Sequence, residues 1–147
     1  MKKQTFPIRL GAAAVFLLAV LLSGAITLLA IWLQPNALRT VLAGFRASPM
    51  LIVLNALPVG LTVLTLTFLF RNVFFAAAVT ELAVCGLSIA NRIKIEVRDE
   101  PVFPRDLGLL KEVGSAVGTY DIRFPWAQAG VVVFLCAVLV LLGLFLR

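Results

Sequence analysis

The 147-residue sequence contains no histidine and has little charge. Histidine is a frequent general base and the commonest metal ligand, so its absence removes the usual means for both kinds of chemistry. Charged residues make up 14% of the chain and apolar residues 62%, whereas a soluble domain has about 25% charged and about 45–50% apolar residues. This balance excludes a soluble globular protein, and the high hydrophobicity also excludes a disordered one.

Cysteine is scarce as well, and the two cysteines, Cys85 and Cys136, both lie within apolar runs. A buried cysteine behaves as a small apolar residue, so neither a disulfide nor a metal site is indicated. The sequence has no Cys-x-x-Cys pair, no glycine-rich phosphate loop and no histidine for a catalytic triad. We therefore predict no catalytic residue, metal ligand or cofactor within this chain.

What the sequence does contain is four long runs that are almost free of charge. A spanning helix needs roughly 20 mostly apolar residues, and lipid offers the backbone no hydrogen-bonding partner, so each run is predicted to be a helix. The first run is too long for the apolar region of a cleaved signal peptide. The prediction is an all-α integral membrane bundle, one domain over residues 1–147, with four transmembrane helices at about 10–33, 50–70, 72–91 and 125–146.

Basic residues outnumber acidic ones by 13 to 7, which gives a net charge of +6. Such a balance suits nucleic acid or an anionic membrane face, and the apolar runs favour the membrane and exclude nucleic acid as a partner. If the first helix sets the orientation, the N-terminus is cytoplasmic and residues 92–124 are extracytoplasmic. A strict count of Lys and Arg opposes this orientation, with five on the N-terminal face and eight on the other.

The segment 92–124 is the most polar part of the chain. Its start fits either a strand, by alternation of charged and apolar residues, or a continuation of the third helix, by the spacing of Ile89, Ile93 and Val97. We favour the helix, because no partner strand is visible, and expect it to end before Pro101. Pro104 can begin a new short helix, whose apolar stripe predicts a position in the extracytoplasmic membrane interface between the third and fourth helices.

A spaced motif runs through this segment, Asn91-x-x-Lys94-x-x-x-Arg98-x-x-Pro101-x-x-Pro104-x-Asp106-Leu107-x-Leu109. It resembles the membrane region of the lipoteichoic acid synthase family, the membrane-anchored phosphoglycerol transferases of the sulfatase and alkaline phosphatase superfamily. The resemblance covers residues 50–125, about half of the chain. Weaker support comes from Asn55-Ala56-Leu57-Pro58, the turn at Arg71 and Gly118-Thr119-Tyr120.

The resemblance implies a helical membrane region in the bacterial cytoplasmic membrane, followed by a large extracellular catalytic domain. In the family, that domain carries a threonine nucleophile and a divalent metal, usually manganese, and transfers glycerol phosphate from phosphatidylglycerol. The spans leave no stretch of about 50 residues for such a domain, so no residue here inherits its roles. We expect a membrane-embedded portion for anchoring, lipid access and docking, with a catalytic domain acting in cis or in trans.

The motif also supplies candidate binding residues, namely Asn91, Lys94, Arg98, Pro101 and Asp106. The guanidinium of arginine presents a fork that suits phosphate, so the cations are candidates for an anionic lipid headgroup such as that of phosphatidylglycerol. The alternatives are a solvated loop whose charges pair with each other, or a surface that docks the catalytic domain.

Glu81 is the only ionisable residue deep within a run. An intramembrane acid is either a functional site or a protonated side chain bonded to a neighbouring hydroxyl. A tight turn at Arg71 makes the second and third helices antiparallel neighbours, so residues equally far from the turn lie at the same depth. This predicts a contact of Glu81 with Thr62 and another of Asn55 with Ser88. Alternative functions are a small transporter or channel that uses Glu81 for a proton or cation, and a non-enzymatic accessory protein.

Overall fold

The computed structural model describes residues 11–34, 37–98, 100–103 and 124–146. Four helices in these ranges are long and apolar enough to cross a membrane, which confirms the predicted all-α bundle. The predicted interfacial helix lies outside the described residues. The helices are α1 (Ala12–Trp32), α2 (Ala37–Ala47), α3 (Met50–Phe70), α4 (Val73–Arg98) and α5 (Trp126–Phe145).

Helix α4 is the centre of the bundle and packs against α1, α3 and α5. Ala76, Ala77 and Ala78 are fully or almost fully buried, although three consecutive residues point in different directions around the helix. Small residues let neighbouring backbones approach closely, and such packing drives the association of helices in lipid. The outward faces carry large apolar side chains, and Phe68 is 83% exposed. A water-facing surface of this kind is rare in soluble proteins, whereas lipid solvates it well.

The third spanning helix is longer than the apolar run that predicts it. It continues to Arg98, in agreement with the helical spacing of Ile89, Ile93 and Val97. Its 26 residues correspond to about 39 Å at about 1.5 Å per residue, while the hydrocarbon core is about 30 Å thick. The last turns of α4 therefore extend beyond the apolar layer and carry charged residues there.

Helix α2 occupies a stretch that the apolar runs leave as a loop between the first two spans. Its 11 residues are too few to cross a membrane, so it is not one of the predicted spans. In the sequence, Leu38, Val41, Leu42 and Phe45 follow a helical period and Arg39 and Arg46 lie between them, a pattern typical of an amphipathic surface helix.

The two predicted pairings between α3 and α4 are wrong. The Thr62 hydroxyl is exposed and donates to the Pro58 carbonyl of its own helix at 2.9 Å. Asn55 is also exposed, and its amide donates to the Leu51 carbonyl at 2.7 Å. Equal depth does not fix the rotation of a helix about its axis, and the residues that α3 buries are Val59 and Val63.

The turn between α3 and α4 is fastened to α5 by Asn72. Arg71 adopts the left-handed conformation, with φ 55° and ψ 25°, which ends α3. The Asn72 Oδ1 atom accepts the Phe74 and Phe75 N–H groups at 3.0 and 3.3 Å and so caps α4. Its Nδ2 atom donates to the Gly143 carbonyl at 2.7 Å, which holds the start of α4 against the end of α5.

Gly143 makes this close approach possible. A Cβ atom there would lie 3.3 Å from Asn72 Oδ1 and 3.4 Å from Phe74 Cβ, so a larger side chain would push these neighbours away. We expect Gly143→Leu to lower the free energy of unfolding by about 2 kcal/mol through overpacking. Denaturant unfolding followed by circular dichroism in detergent micelles measures the change.

The matched control is Gly130→Leu on the same helix, since a Cβ at Gly130 meets no atom within 4 Å. Both substitutions change helix propensity equally, so the difference between them reports on the contact with Asn72. Equal stability of the two variants would contradict the packing described here.

Candidate functional site

Motif residues meet at the end of α4 that lies away from the Arg71 turn. The Asn91 Oδ1 atom accepts the Val102 N–H at 2.8 Å, and Asn91 Nδ2 donates to Gln34 Oε1 at 2.9 Å. The Gln34 Nε2 atom in turn donates to the Ser88 carbonyl at 2.9 Å. These bonds join the end of α1, the helix α4 and the segment 100–103. We call Gln34, Asn91, Lys94 and residues 101–103 the polar cluster.

Lys94 lies one turn beyond Asn91 and makes two contacts with the same segment. Its Nζ atom donates to the Pro101 carbonyl at 2.8 Å and lies 5.2 Å from the centre of the Phe103 ring. The ring face attracts the ammonium through a cation–π interaction. Lys94 and Asn91 together therefore hold the chain that leaves α4 against the helix it has just left.

Arg92 faces α1 and is paired within the protein. Its Nε atom lies 2.8 Å from Glu96 Oε1, and its Nη1 atom donates to the Leu33 carbonyl at 3.4 Å. A cation near the last carbonyls of a helix satisfies them and interacts well with the helix dipole. For Arg92, the structure thus favours the alternative in which the charges of this segment pair with each other and not with a lipid headgroup.

An open cavity of about 380 Å³ lies beside the polar cluster. Val84 and Leu87 of α4 give it an apolar wall, and Gln34 and Asn91 give it a polar end. The cavity is therefore amphipathic, with its polar end on the side of the charged turns of α4.

Three of the five candidate binding residues come together here: Asn91, Lys94 and Pro101. The Arg98 side chain and Asp106 lie outside the described residues. Gln34 was not among the candidates, although its position gives a signal, since it is the first polar residue after the apolar run of α1. Asn91 uses both ends of its amide inside the protein, so it positions the segment 100–103.

Glu81 lies within the bundle, eight residues after the start of α4, or about 12 Å along the helix. It is 1% exposed. Its two carboxyl oxygens have no hydrogen-bond partner among the described residues. In those ranges, they are the only buried side-chain nitrogen or oxygen atoms without one. By contrast, the hydroxyls of Ser23, Thr27 and Thr80 each donate to a carbonyl one turn earlier in their own helix.

Glu81 also lines a groove of about 160 Å³ between α1 and α5. The other lining residues are apolar: Leu22, Ala25, Ile26, Leu29, Leu135, Val138 and Leu139. The free thiols of Cys85 and Cys136 are near this carboxyl. In the described ranges, no three His, Cys, Asp or Glu side chains converge in a way that could hold a metal ion.

The fold defines a multi-pass α-helical membrane protein. No protein-family model matches the chain, and comparisons with curated proteins and with solved structures give no match either.

The role of Asn91 in the polar cluster can be tested by Asn91→Ala. The substitution leaves the Val102 N–H and the Gln34 Oε1 atom without their partner, so we expect a loss of about 1 to 2 kcal/mol in local stability. Faster amide hydrogen exchange over residues 100–103, measured by mass spectrometry in detergent, would report this loss.

Asn55→Ala provides the control, because the Asn55 amide bonds only within its own helix at an exposed position. Exchange over residues 100–103 should stay unchanged in that variant. A similar increase in both variants would mean that Asn91 does not fasten the segment.

Proposed function

We propose that this chain is the membrane-embedded portion of a lipoteichoic acid synthase-like phosphoglycerol transferase. It lies in the bacterial cytoplasmic membrane with its N-terminus in the cytoplasm. Its tasks are anchoring, lipid access and docking. The transfer itself belongs to a catalytic domain, in cis or in trans, that carries the divalent metal. The observation that carries the proposal is the pair of bonds by which Lys94 holds the Pro101 carbonyl and Asn91 holds the Val102 N–H.

These residues belong to the spaced motif on which the family resemblance rests. Asn91 and Lys94 come from α4, and both bond to backbone groups of the segment 101–103. Such bonds fix where the chain leaves the membrane, which is what docking of an extracellular domain requires. The contacts support a common positioning role for Asn91 and Lys94, which bond to backbone groups 11 and 7 residues further along the chain.

The cavity beside the polar cluster supports the task of lipid access. Its volume of about 380 Å³ falls in the usual range for ligand sites, about 300–1,000 Å³. Val84 and Leu87 suit part of an acyl chain, and the nearby Lys94 ammonium suits the phosphate of the headgroup. Phosphatidylglycerol, the lipid that the family uses, has both parts.

Lipid preference is the direct test. We expect Lys94→Ala and Arg98→Ala each to lower the preference of the protein for phosphatidylglycerol over phosphatidylcholine about fivefold, since a cation near the membrane surface contributes about 1 kcal/mol. The readout is the immobilised fraction of spin-labelled lipid around the full chain in nanodiscs, measured by electron paramagnetic resonance.

Arg46→Ala is the control, because Arg46 is an exposed cation in the last turn of α2, outside the motif. Its removal should leave the preference for phosphatidylglycerol intact. The proposal fails if both motif variants keep the preference, or if Arg46→Ala lowers it equally.

Orientation gives a second test. In the proposed topology, alkaline phosphatase fused after Ser115 is active and the same enzyme fused after Arg71 is inactive, because alkaline phosphatase folds only outside the cytoplasm. A green fluorescent protein fused at the two positions should give the reverse pattern. Activity of the phosphatase after Arg71 would place the polar cluster in the cytoplasm and would contradict the docking role.

A further inference from the structure

The side of α3 that faces away from the bundle carries polar groups at membrane depth. Asn55, Thr62 and Thr65 are exposed there. The 21 residues of α3 are about 32 Å long at about 1.5 Å per residue, which matches a hydrocarbon core about 30 Å thick. Asn55 is the sixth residue of α3, so it lies about 7 Å inside the apolar layer. Lipid offers no hydrogen-bonding partner at that depth.

The Asn55 amide cannot satisfy itself as these threonines do. Each threonine hydroxyl donates to a carbonyl one turn earlier in α3, at 2.9 Å for Thr62 and 2.8 Å for Thr65. An amide has two N–H donors and an acceptor oxygen, and Asn55 uses one N–H for the Leu51 carbonyl at 2.7 Å. Among the described residues, its second N–H and its Oδ1 atom have no partner. Asn55 therefore presents one donor and one acceptor to the lipid.

Asn55 belongs to a row of exposed residues that has the spacing of a coiled-coil seam. Steps of three and four residues alternate along this row, which we call the α3 seam: Asn55, Pro58, Thr62, Thr65 and Leu69. A mean spacing of 3.5 residues keeps one side of a helix in contact with a second helix that crosses it at about 20°. The two threonines are small, and small side chains let helix backbones approach closely in lipid. The α3 seam thus suits a helix, and the spans of the described bundle leave it uncovered.

We infer that the α3 seam is the interface between two copies of this chain, related by a two-fold axis along the membrane normal. Copies that insert in the same orientation carry Asn55 at the same depth. The free N–H of each Asn55 amide donates to the Oδ1 atom of the other copy, so two hydrogen bonds form. A two-fold interface requires a surface that complements itself, and a side chain with one free donor and one free acceptor meets this requirement. A single asparagine in a seam also fixes the register of the two helices.

Other occupants suit the α3 seam less well. Lipid acyl chains would cover it but would leave the Asn55 donor and acceptor unpaired. The catalytic domain of the proposed function lies outside the membrane and does not reach Asn55, so the dimer does not depend on that proposal. A different membrane protein would need a matching donor and acceptor at the same depth, which a second copy supplies by its own sequence.

The test measures association of the full chain in phosphatidylcholine liposomes. Copies fused after Arg147 to a donor or an acceptor fluorescent protein are mixed, and energy transfer is recorded as the ratio of protein to lipid is varied. Transfer that rises linearly with the acceptor fraction identifies a dimer. We expect this result, and we expect Asn55→Ala to raise the dissociation constant of the dimer about sevenfold, because two interhelical hydrogen bonds are lost.

Leu57→Ala is the matched control, because Leu57 is 53% exposed on another side of α3 at nearly the same depth. Its dissociation constant should equal that of the unmodified protein. Circular dichroism should show that both alanine variants retain their helices, since neither side chain is buried.

Cross-linking locates the interface without removal of the amide. The two native cysteines are replaced by Cys85→Ala and Cys136→Ala, and one cysteine is introduced by Thr62→Cys in the α3 seam or by Leu57→Cys outside it. Oxidation with copper phenanthroline should join two copies of the Thr62→Cys protein and leave the Leu57→Cys protein monomeric.

The inference is overturned if the unmodified chain stays monomeric at every ratio of protein to lipid, which would leave the α3 seam to lipid or to a different membrane protein. It is also overturned if Asn55→Ala dimerises as tightly as the unmodified protein, if Leu57→Ala weakens the dimer equally, or if Leu57→Cys cross-links as readily as Thr62→Cys.

Discussion

The close packing of α4 against its three neighbours is the constraint on which the rest of the structure depends. In lipid, apolar side chains gain little by meeting each other, so helices associate through tight contact and a few hydrogen bonds. The buried alanines of α4 provide the contact, and Asn72 and Asn91 provide bonds to α5 and α1 near its two ends. Both candidate sites lie on this helix because it is the element that every other span touches.

The spans and the turn at Arg71 follow from the sequence, because an uncharged run in lipid has no alternative to a helix. Rotation of each helix does not follow. The prediction that Glu81 meets Thr62 used depth alone, and α3 is rotated so that Thr62 faces outward. The short helix α2 was missed because its 11 residues fall below the length of a span.

The polar cluster, like the bundle, could be predicted from the sequence only in part. The spacing of Asn91, Lys94 and Pro101 singles these residues out, yet it does not reveal that Asn91 bonds to Gln34. That contact joins residues 57 positions apart and depends on how α1 packs against α4. The lack of a partner for Glu81 is also a tertiary property, since it depends on which side chains α1 and α5 bring near.

The two-residue turn between α3 and α4 has a consequence for movement in the bundle. So short a connection has no slack, so one helix cannot slide along the other without unwinding a turn at Arg71. Helices α1 and α5 are joined to this hairpin by longer stretches of chain. Side-chain hydrogen bonds fasten each of them to the hairpin near one end, from Gln34, Asn91 and Arg92 for α1 and from Asn72 for α5. The α3–α4 hairpin is thus the fixed frame of the protein, and the groove at Glu81 can widen only by displacement of α1 or α5.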